Sequence, residues 1–321
     1  MEKEHSKLKP LFIERMKKLL PDKNDFLNYL SILEKEPSNS IRCNLLKISI
    51  NELKKRLQKK GWELSQPWKK YCWAIIVESK LGPGELGRSL EHLLGYYYVQ
   101  ELASMLPVIA LEPKPHQLVL DLCAAPGSKT TQIASEMKNT GTIIANEVSL
   151  KRLKILASNC ERCGVTNAIL TRKDGSALCK KFEKEGMKFD RILIDAPCSG
   201  EGTLRSSPRT RLLWNINTIK RLSNLQKSLL ASAIPLLKKR GILVYSTCTH
   251  APEENEKVVD WALKKFPQLE LEKISLPLNA RPGITKWEKE NFSPTIQKCA
   301  RIYPHDNNTE GFFIAKFKLK E

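Results

Sequence analysis

Apolar and polar residues follow two different patterns along the chain, and the first pattern covers its N-terminal part. Apolar residues recur at helical spacing over residues 10–33. An alternating run at 40–45, an amphipathic stretch at 50–60 with Ser49 as its N-cap, and a short run at 61–64 predict a strand, a helix and a strand. This order predicts a small α+β domain.

The second pattern begins after a stretch that is interrupted by Gly82, Pro83, Gly84 and Gly87. We place the domain boundary near residue 95, so that domain 1–95 precedes domain 96–321. Beyond it, strands alternate with helices, which is typical of a parallel sheet covered by helices on both faces. The fold class is therefore α/β, with strands at 118–122, 142–147, 168–172, 189–195, 241–246 and 312–319 and helices at 128–137, 149–162, 176–183, 217–238 and 253–265.

The composition indicates the class of partner. The chain has 54 Lys and Arg residues against 35 Asp and Glu residues, which gives a net charge of +19. Such an excess favours a polyanion as partner, because binding releases condensed counterions. Nucleic acid is therefore the expected partner, and the alternative is that Lys-rich helices simply present solvated faces.

The chain shows no membrane or secretion signal. No run approaches the roughly 18 apolar residues of a membrane span, and the N-terminal stretch lacks the apolar segment of a signal peptide. We therefore expect a cytoplasmic location, where the nine cysteines would stay reduced. Cys160 and Cys163 form a CxxC pair, but no second pair completes a zinc site, so no metal is expected.

Acidic residues follow the predicted strands at their carboxyl ends, where parallel sheets bind ligands. Asp121, Glu147, Asp174 and Asp195 lie there, and carboxylates accept hydrogen bonds from ribose hydroxyls and an adenine amino group. Each could instead cap a helix. The turn at 123–129 has neither GxGxxG nor the P-loop order, and this lack of a phosphate cradle favours S-adenosylmethionine over NAD or ATP as cofactor.

Two cysteines follow strands of the same predicted sheet, Cys198 after 189–195 and Cys248 after 241–246. Because both strands end at one edge of the sheet, the two thiols can meet there. A lone cysteine after a strand is usually a small buried hydrophobe. Two at one edge, one in Pro-Cys-Ser-Gly and one in Ser-Thr-Cys-Thr, favour a chemical role.

Three segments, LDLCAAPGSKT, ILIDAPCSGEGT and YSTCTHAPEENE, together resemble the RNA 5-methylcytosine methyltransferase family that includes the bacterial Fmu/Sun proteins and their archaeal and eukaryotic relatives. The segments YYYVQELASMLP and IRCNLLK fit the same pattern, so the resemblance covers most of the chain. It implies a Rossmann-like, S-adenosylmethionine-dependent methyltransferase domain with a mostly parallel seven-stranded sheet. A small RNA-recognition-like α+β domain would precede it.

The resemblance also implies roles for matching residues. Cys248 would be the nucleophile that adds to C6 of cytosine and so activates C5 towards the sulfonium methyl group. Cys198 would assist product release. Because protonation or hydrogen bonding at N3 stabilises the adduct, the chemistry itself makes Asp195 our candidate for that role, with Lys129 orienting the base. DNA cytosine methyltransferases use a Pro-Cys nucleophile, so only the resemblance favours Cys248 over Cys198. The cofactor site would comprise Cys123, Ala124, Ala125, Pro126, Gly127, Ser128, Lys129, Glu147, Arg152, Asp174 and Asp195.

The resemblance favours tRNA over rRNA as substrate, because compact relatives with this layout resemble archaeal transfer-RNA enzymes, and we expect no additional C-terminal RNA-binding domain. The alternatives are a non-catalytic RNA-binding or ribosome-assembly factor and a protein or small-molecule methyltransferase. The modified position and any protein activator stay open. Basic residues are expected to contact the RNA backbone, namely Arg42, Lys47, Lys54, Lys55, Arg56, Arg205, Arg209 and Arg211.

Overall fold

A four-stranded antiparallel sheet forms the N-terminal part of the structure, a computed structural model that describes residues 8–320. Residues 1–7 lie outside the described residues. The prediction that the N-terminal stretch lacks a signal peptide falls partly on them. The sheet has the order β2-β3-β1-β4, with β1 at Asn39–Cys43, β2 at Leu64–Ser65, β3 at Ala74–Val77 and β4 at Tyr97–Val99. The sequence pattern misses β3 because its four residues are all apolar and do not alternate. The domain boundary at residue 95 stays a prediction, and β4 follows it.

The helices before this sheet are α1 (Pro10–Leu19) and α2 (Lys23–Leu33), and α3 (Ile50–Lys59) lies between β1 and β2. The predicted helical stretch at 10–33 divides at Pro21, which has no N–H to continue a helix. Both α1 and α2 pack against the C-terminal part of the chain. The Phe12 ring lies 5.5 Å from the Trp214 ring, and Arg15 pairs with Glu253 at 2.6 Å.

A second sheet of nine strands forms the larger part of the structure. Five of its strands are parallel and lie side by side in the order β9-β8-β5-β6-β7. The sheet has more than the seven strands that the resemblance implies, because short antiparallel strands from residues 269–302 extend the end beyond β9. The strands are β5 (Leu118–Asp121), β6 (Thr142–Asn146), β7 (Ala168–Thr171), β8 (Phe189–Asp195), β9 (Leu237–Thr247), β10 (Leu269–Glu272), β11 (Arg281–Pro282), β14 (Ala300–Ile302) and β15 (Phe312–Leu319), with a separate hairpin of β12 (Lys286–Trp287) and β13 (Glu290–Asn291).

Helices cover both faces of this sheet, as the alternating pattern predicts. Neighbouring residues of β5 enter different hydrophobic cores, Val119 on one face and Leu120 on the other. Among the described helices, none is both long and apolar enough to cross a membrane. The helices are α4 (Glu85–Arg88), α5 (Leu90–Leu93), α6 (Leu102–Leu111), α7 (Ser128–Glu136), α8 (Leu150–Cys163), α9 (Gly175–Lys184), α10 (Pro208–Leu213), α11 (Ile216–Ala233), α12 (Glu256–Lys265) and α13 (Pro304–Asn307).

The small sheet joins the large one through buried polar contacts. Arg42 on β1 is 2% exposed, and its guanidinium donates to the Ser128 carbonyl oxygen at 2.6 Å and to Thr131 Oγ1 at 2.8 Å. The prediction that Arg42 contacts RNA is therefore wrong, because its donors hold the first turn of α7. Gly95 makes a second junction, since its backbone lies directly against the Arg162 carbonyl group of α8.

We expect Gly95→Ala to destabilise the protein more than Gly61→Ala does. Both glycines have a left-handed φ, +73° and +81°, so alanine is strained at either position. A Cβ atom at Gly95 would lie 1.9 Å from the Arg162 carbonyl oxygen, whereas nothing lies within 4 Å at Gly61. The free energy of unfolding from denaturant titration should fall by about 1–3 kcal/mol more for Gly95→Ala. Equal losses in the two variants would contradict this junction.

Candidate active site

The turn at 123–129 connects β5 to the start of α7, as the sequence predicts. The Ala125–Pro126 peptide bond is cis, and Gly127 precedes α7 with a φ of 108°, a value that favours glycine. The Ala124 N–H donates to the Asn146 carbonyl oxygen at 2.9 Å, which holds the turn against the end of β6. The N-terminus of α7 therefore faces the ligand edge of the sheet.

Glu147, directly after β6, is fixed beside this turn. Its carboxylate pairs with Arg152 at 3.0 Å and accepts a hydrogen bond from the Ser149 N–H at 2.9 Å. Arg152 also donates to the Ala125 carbonyl oxygen at 2.6 Å. Only 3% of Glu147 is exposed. A carboxylate held at this position after the second strand suits the ribose hydroxyls of a nucleoside cofactor.

The other acidic residues of the edge differ in their surroundings. Asp121 is fully buried and accepts a hydrogen bond from Thr130 Oγ1 at 2.7 Å, while its other oxygen has no partner among the described residues. Burial raises the pKa of Asp121 to about 7. Asp174 is exposed and accepts from the Ala177 N–H at 2.9 Å as the cap of α9. The left-handed Gly127, the fixed Glu147 and the free Asp121 oxygen fit a nucleoside such as S-adenosylmethionine.

The thiols of Cys198 and Cys248 lie in contact at the carboxyl ends of β8 and β9. Their sulfur atoms are 3.2 Å apart, and the Cys248 N–H points at the Cys198 sulfur at 3.3 Å. The hydrogen bond with Cys248, together with burial, raises the pKa of the Cys198 thiol well above its usual range. Cys198 is therefore held as a neutral thiol beside its partner.

Asp195 and Lys129 form an ion pair close to the two thiols. Lys129 Nζ lies 2.7 Å from one Asp195 oxygen, and the other oxygen accepts from Ser246 Oγ at 2.8 Å. Lys129 also donates to Ser104 Oγ at 3.1 Å. Both Asp195 oxygens are thus oriented by protein donors, and only 8% of the Lys129 side chain is exposed.

Glu254 holds the loop that carries Cys198 through hydrogen bonds, a role that the sequence pattern did not predict. One Glu254 oxygen accepts from the Ser199 N–H at 3.0 Å and from Gln226 at 2.8 Å. Gln226 also donates to the Pro197 carbonyl oxygen at 2.9 Å. Burial raises the pKa of Glu254 to about 8. In the sequence, only the run of acidic residues after Cys248 in YSTCTHAPEENE could have indicated this role of Glu254.

A cavity of about 350 Å³ opens beside Cys248 and is lined by Lys129 and Asp195. Residues 37–40 and Val99 of the N-terminal part form its opposite wall. The volume falls in the range of small-molecule sites, and a base turned out of its stack could enter. The sequence could not predict this wall, because it forms only where the two sheets meet.

The basic residues near the site differ from the prediction. Arg205 is 9% exposed and donates to the backbone carbonyl oxygens of Glu36 and Thr309 at 2.9 and 3.0 Å. Arg211 likewise donates to backbone carbonyl oxygens, and its side chain is 9% exposed. The expectation that these two bind RNA phosphates is wrong, because their donors are used inside the protein. Arg209 is exposed and free to contact RNA.

The sequence matches two family descriptions over nearly the whole chain. Residues 108–318 match the family described as 16S rRNA methyltransferase RsmB/F. Residues 8–102 match the N-terminal domain of 16S rRNA methyltransferase RsmF.

Curated relatives match over almost the full length of this chain. A tRNA (cytosine(49)-C(5))-methyltransferase from Pyrococcus abyssi is 42% identical, and the match covers 98% of this chain and 97% of the relative. The ribosomal RNA small subunit methyltransferase F of Vibrio cholerae is 40% identical over 96% of this chain, which spans 63% of that relative. A 28S rRNA (cytosine-C(5))-methyltransferase from Mus musculus is 40% identical over 92% of this chain and 37% of its own length.

Solved structures from Pyrococcus horikoshii share the fold along the whole chain. A methyltransferase homolog protein has a TM-score of 0.79 and 35% identity, with 97% of this chain and 100% of that one covered. NSun6, solved with SFG, has a TM-score of 0.82 and 26% identity, with 98% of each chain covered. The chain therefore belongs to the RsmB/F family of S-adenosylmethionine-dependent RNA methyltransferases.

Proposed function

We propose that this protein methylates C5 of a cytosine in tRNA, with Cys248 as the nucleophile and Cys198 as its partner in release. The observation that carries the proposal is the contact of the two thiols, 3.2 Å apart, beside a cavity that also contains Lys129 and Asp195. A scaffold without catalysis would not require this arrangement. The small N-terminal domain, which we place at 1–95, would contribute to RNA binding.

The need for a nucleophile follows from the chemistry of cytosine, because C5 is a weak nucleophile. Addition of the Cys248 thiolate to C6 moves electron density onto C5. S-adenosylmethionine, when bound, supplies the electrophilic methyl group that C5 receives. The Cys248 sulfur must approach C6 from one face of the ring, which stacking blocks, so the target cytosine has to leave its stack and enter the cavity.

Asp195 and Lys129 would hold the base while Cys248 attacks it. Ser246 and Lys129 fix the two Asp195 oxygens, so the carboxylate can accept a hydrogen bond from the cytosine amino group, or from N3 once N3 is protonated, without reorganising. Lys129 would orient the base from the same side. Because the Lys129 ammonium is in place before the reaction, it would stabilise the negative charge that develops in the ring.

Cys198 would act after methyl transfer. Transfer of the C5 proton to water re-forms the C5–C6 double bond of the ring and expels the Cys248 sulfur as a thiolate. The neutral Cys198 thiol, whose pKa is raised by its hydrogen bond to Cys248 and by burial, lies where it can stabilise the departing sulfur. The Glu254 contacts keep the Cys198 loop in this position.

The cofactor would lie over the turn that follows β5. We propose that Glu147, held by Arg152, accepts hydrogen bonds from the ribose hydroxyls, and that Asp174 and Asp195 complete the site. The turn supplies the remaining contacts, from Cys123, Ala124, Ala125, Pro126, Gly127, Ser128 and Lys129.

The choice of tRNA is supported by the relative named as a tRNA (cytosine(49)-C(5))-methyltransferase, which this chain matches over nearly that protein's whole length. The ribosomal relatives have comparable identity but extend well beyond the matched region. Ribosomal RNA is therefore the second candidate substrate. The net charge of +19 suits either RNA.

Substitution of the two active-site cysteines should have opposite effects. Cys248→Ala should abolish 5-methylcytidine formation, because no adduct can form. Cys198→Ala should accumulate a protein–RNA adduct, because release is slowed. Both are measured with methyl-labelled S-adenosylmethionine and by denaturing gel, with Cys72→Ala as the control. An adduct in Cys248→Ala would reverse the assignment.

Replacement of the fixed carboxylate should weaken cofactor binding. Glu147→Gln removes the charge that accepts from the ribose, so the Kd for S-adenosylmethionine by calorimetry should rise about ten-fold. Glu161→Gln, an exposed position on α8, provides the matched control. An unchanged Kd in Glu147→Gln would show that Glu147 does not bind the cofactor.

The substrate class is decided by offering the protein unmodified tRNA and rRNA separately, with labelled S-adenosylmethionine, and digesting each RNA to nucleosides. We expect labelled 5-methylcytidine in tRNA alone. Label in rRNA alone would keep the mechanism and overturn the substrate, whereas no label in either RNA would contradict the proposed activity.

A further inference from the structure

The cavity beside Cys248 has an acidic wall that the mechanism above does not use. Glu310, just before β15, lines the cavity and is 5% exposed. Neither of its carboxylate oxygens has a hydrogen-bond partner of good geometry among the described residues. A buried carboxylate without donors is costly, and such a group in a cavity points to a ligand that supplies them.

Glu101 holds Glu310 in place. One Glu101 oxygen accepts from the Glu310 N–H at 3.0 Å, and the other accepts from the Ser104 N–H at 3.2 Å. Ser104 in turn receives a hydrogen bond from Lys129 at 3.1 Å. The acidic wall is therefore continuous with the Asp195–Lys129 pair, and its backbone is fixed before any ligand binds.

Within residues 8–320, no cation is committed to Glu310. Burial has the largest effect on the pKa of Glu310 and raises it, while hydrogen bonding from Ser206 and the charge of Arg205 lower it. The Arg205 guanidinium directs its hydrogen bonds to Thr309, Glu36 and other acceptors of the chain. The nearby Ser206 makes no hydrogen bond of good geometry to Glu310, so the carboxylate beside the cavity can still accept one from a ligand.

The position of the Glu310 carboxylate relative to Cys248 indicates which group of a bound cytidine it would contact. Gly311 donates to the Gly202 carbonyl oxygen and Gly202 donates to the Cys248 carbonyl oxygen, each at 2.9 Å, so the Glu310 backbone is tied to the nucleophile. The nucleophile faces C6, and C6 neighbours N1, which carries the ribose. A carboxylate there repels phosphate, while the ribose 2′-hydroxyl can donate to it.

We propose that Glu310 recognises the ribose 2′-hydroxyl of the target cytidine and thereby makes the enzyme select RNA over DNA at the reacting nucleotide. The 2′-hydroxyl is the group by which proteins distinguish the two nucleic acids at a given site. Glu101 is a positioning residue for Glu310. The inference rests on the proposed function, because it concerns the nucleotide that Cys248 attacks.

The test uses two versions of an RNA that the wild-type protein methylates, with cytidine or 2′-deoxycytidine at the target position only. Wild-type kcat/KM should favour the ribose version by about ten-fold or more, the effect of a hydrogen bond to a charged group. In Glu310→Ala the ratio should fall close to one. Glu310→Gln, which keeps a weaker acceptor, should give an intermediate ratio.

Two controls separate this contact from a structural effect. Glu185→Gln makes the same chemical change at the C-terminal end of α9, where the side chain pairs with Lys181 on the surface, and should keep the wild-type ratio. Thermal unfolding should show that both Glu310 variants fold, since the carboxylate they lose makes no hydrogen bond of good geometry among the described residues.

Equal loss of activity on both substrates in Glu310→Ala would overturn the inference, because only a contact with the 2′-hydroxyl changes the ratio. A wild-type protein that methylates both versions equally would overturn it as well. Absence of methylation on every RNA by the wild-type protein would instead contradict the proposed function, and the inference with it.

Discussion

The parallel pairing of β8 and β9 fixes the positions on which the rest of the site depends. Asp195 lies opposite Ser246 in this pair, so both strands end at the same level of the sheet. Each strand then places a cysteine a few residues further on, and the two thiols come into contact. The same register lets Ser246 orient Asp195. The positions of the proposed nucleophile, its partner thiol and the proposed base-binding carboxylate therefore follow from one set of backbone hydrogen bonds.

The N-terminal part of the chain completes the site from the other side. Arg42 holds the first turn of α7, next to the cofactor turn, and residues 37–40 line the cavity beside Cys248. Arg42 is buried and donates hydrogen bonds to α7, so it joins the small sheet to the helix that follows the turn at 123–129. The target base would thus bind between two parts of the chain, each holding one wall.

Features encoded by neighbouring residues could be predicted from the sequence, and features created by packing could not. The strand ends, the turn at 123–129 and the meeting of Cys198 with Cys248 follow from local patterns and from the rule for parallel sheets. Arg42 and Arg205 are buried by elements distant in sequence. The sequence shows only their charge, and that charge alone led to the wrong prediction that they contact RNA. Glu254 is marked in the sequence only by the acidic run after Cys248, and Glu310 lies in no recognisable pattern, so the folded chain is needed to place both at the site.

The central claim is that the Cys248 sulfur forms the bond to the base. The most direct measurement mixes the wild-type protein, S-adenosylmethionine and a substrate RNA carrying 5-fluorocytidine, whose fluorine cannot leave as the C5 proton does, so that the adduct persists. Protease digestion and mass spectrometry then locate the attached nucleotide. We expect the peptide that contains Cys248 to carry it. Attachment at Cys198, or a stable complex without a covalent bond, would contradict the account.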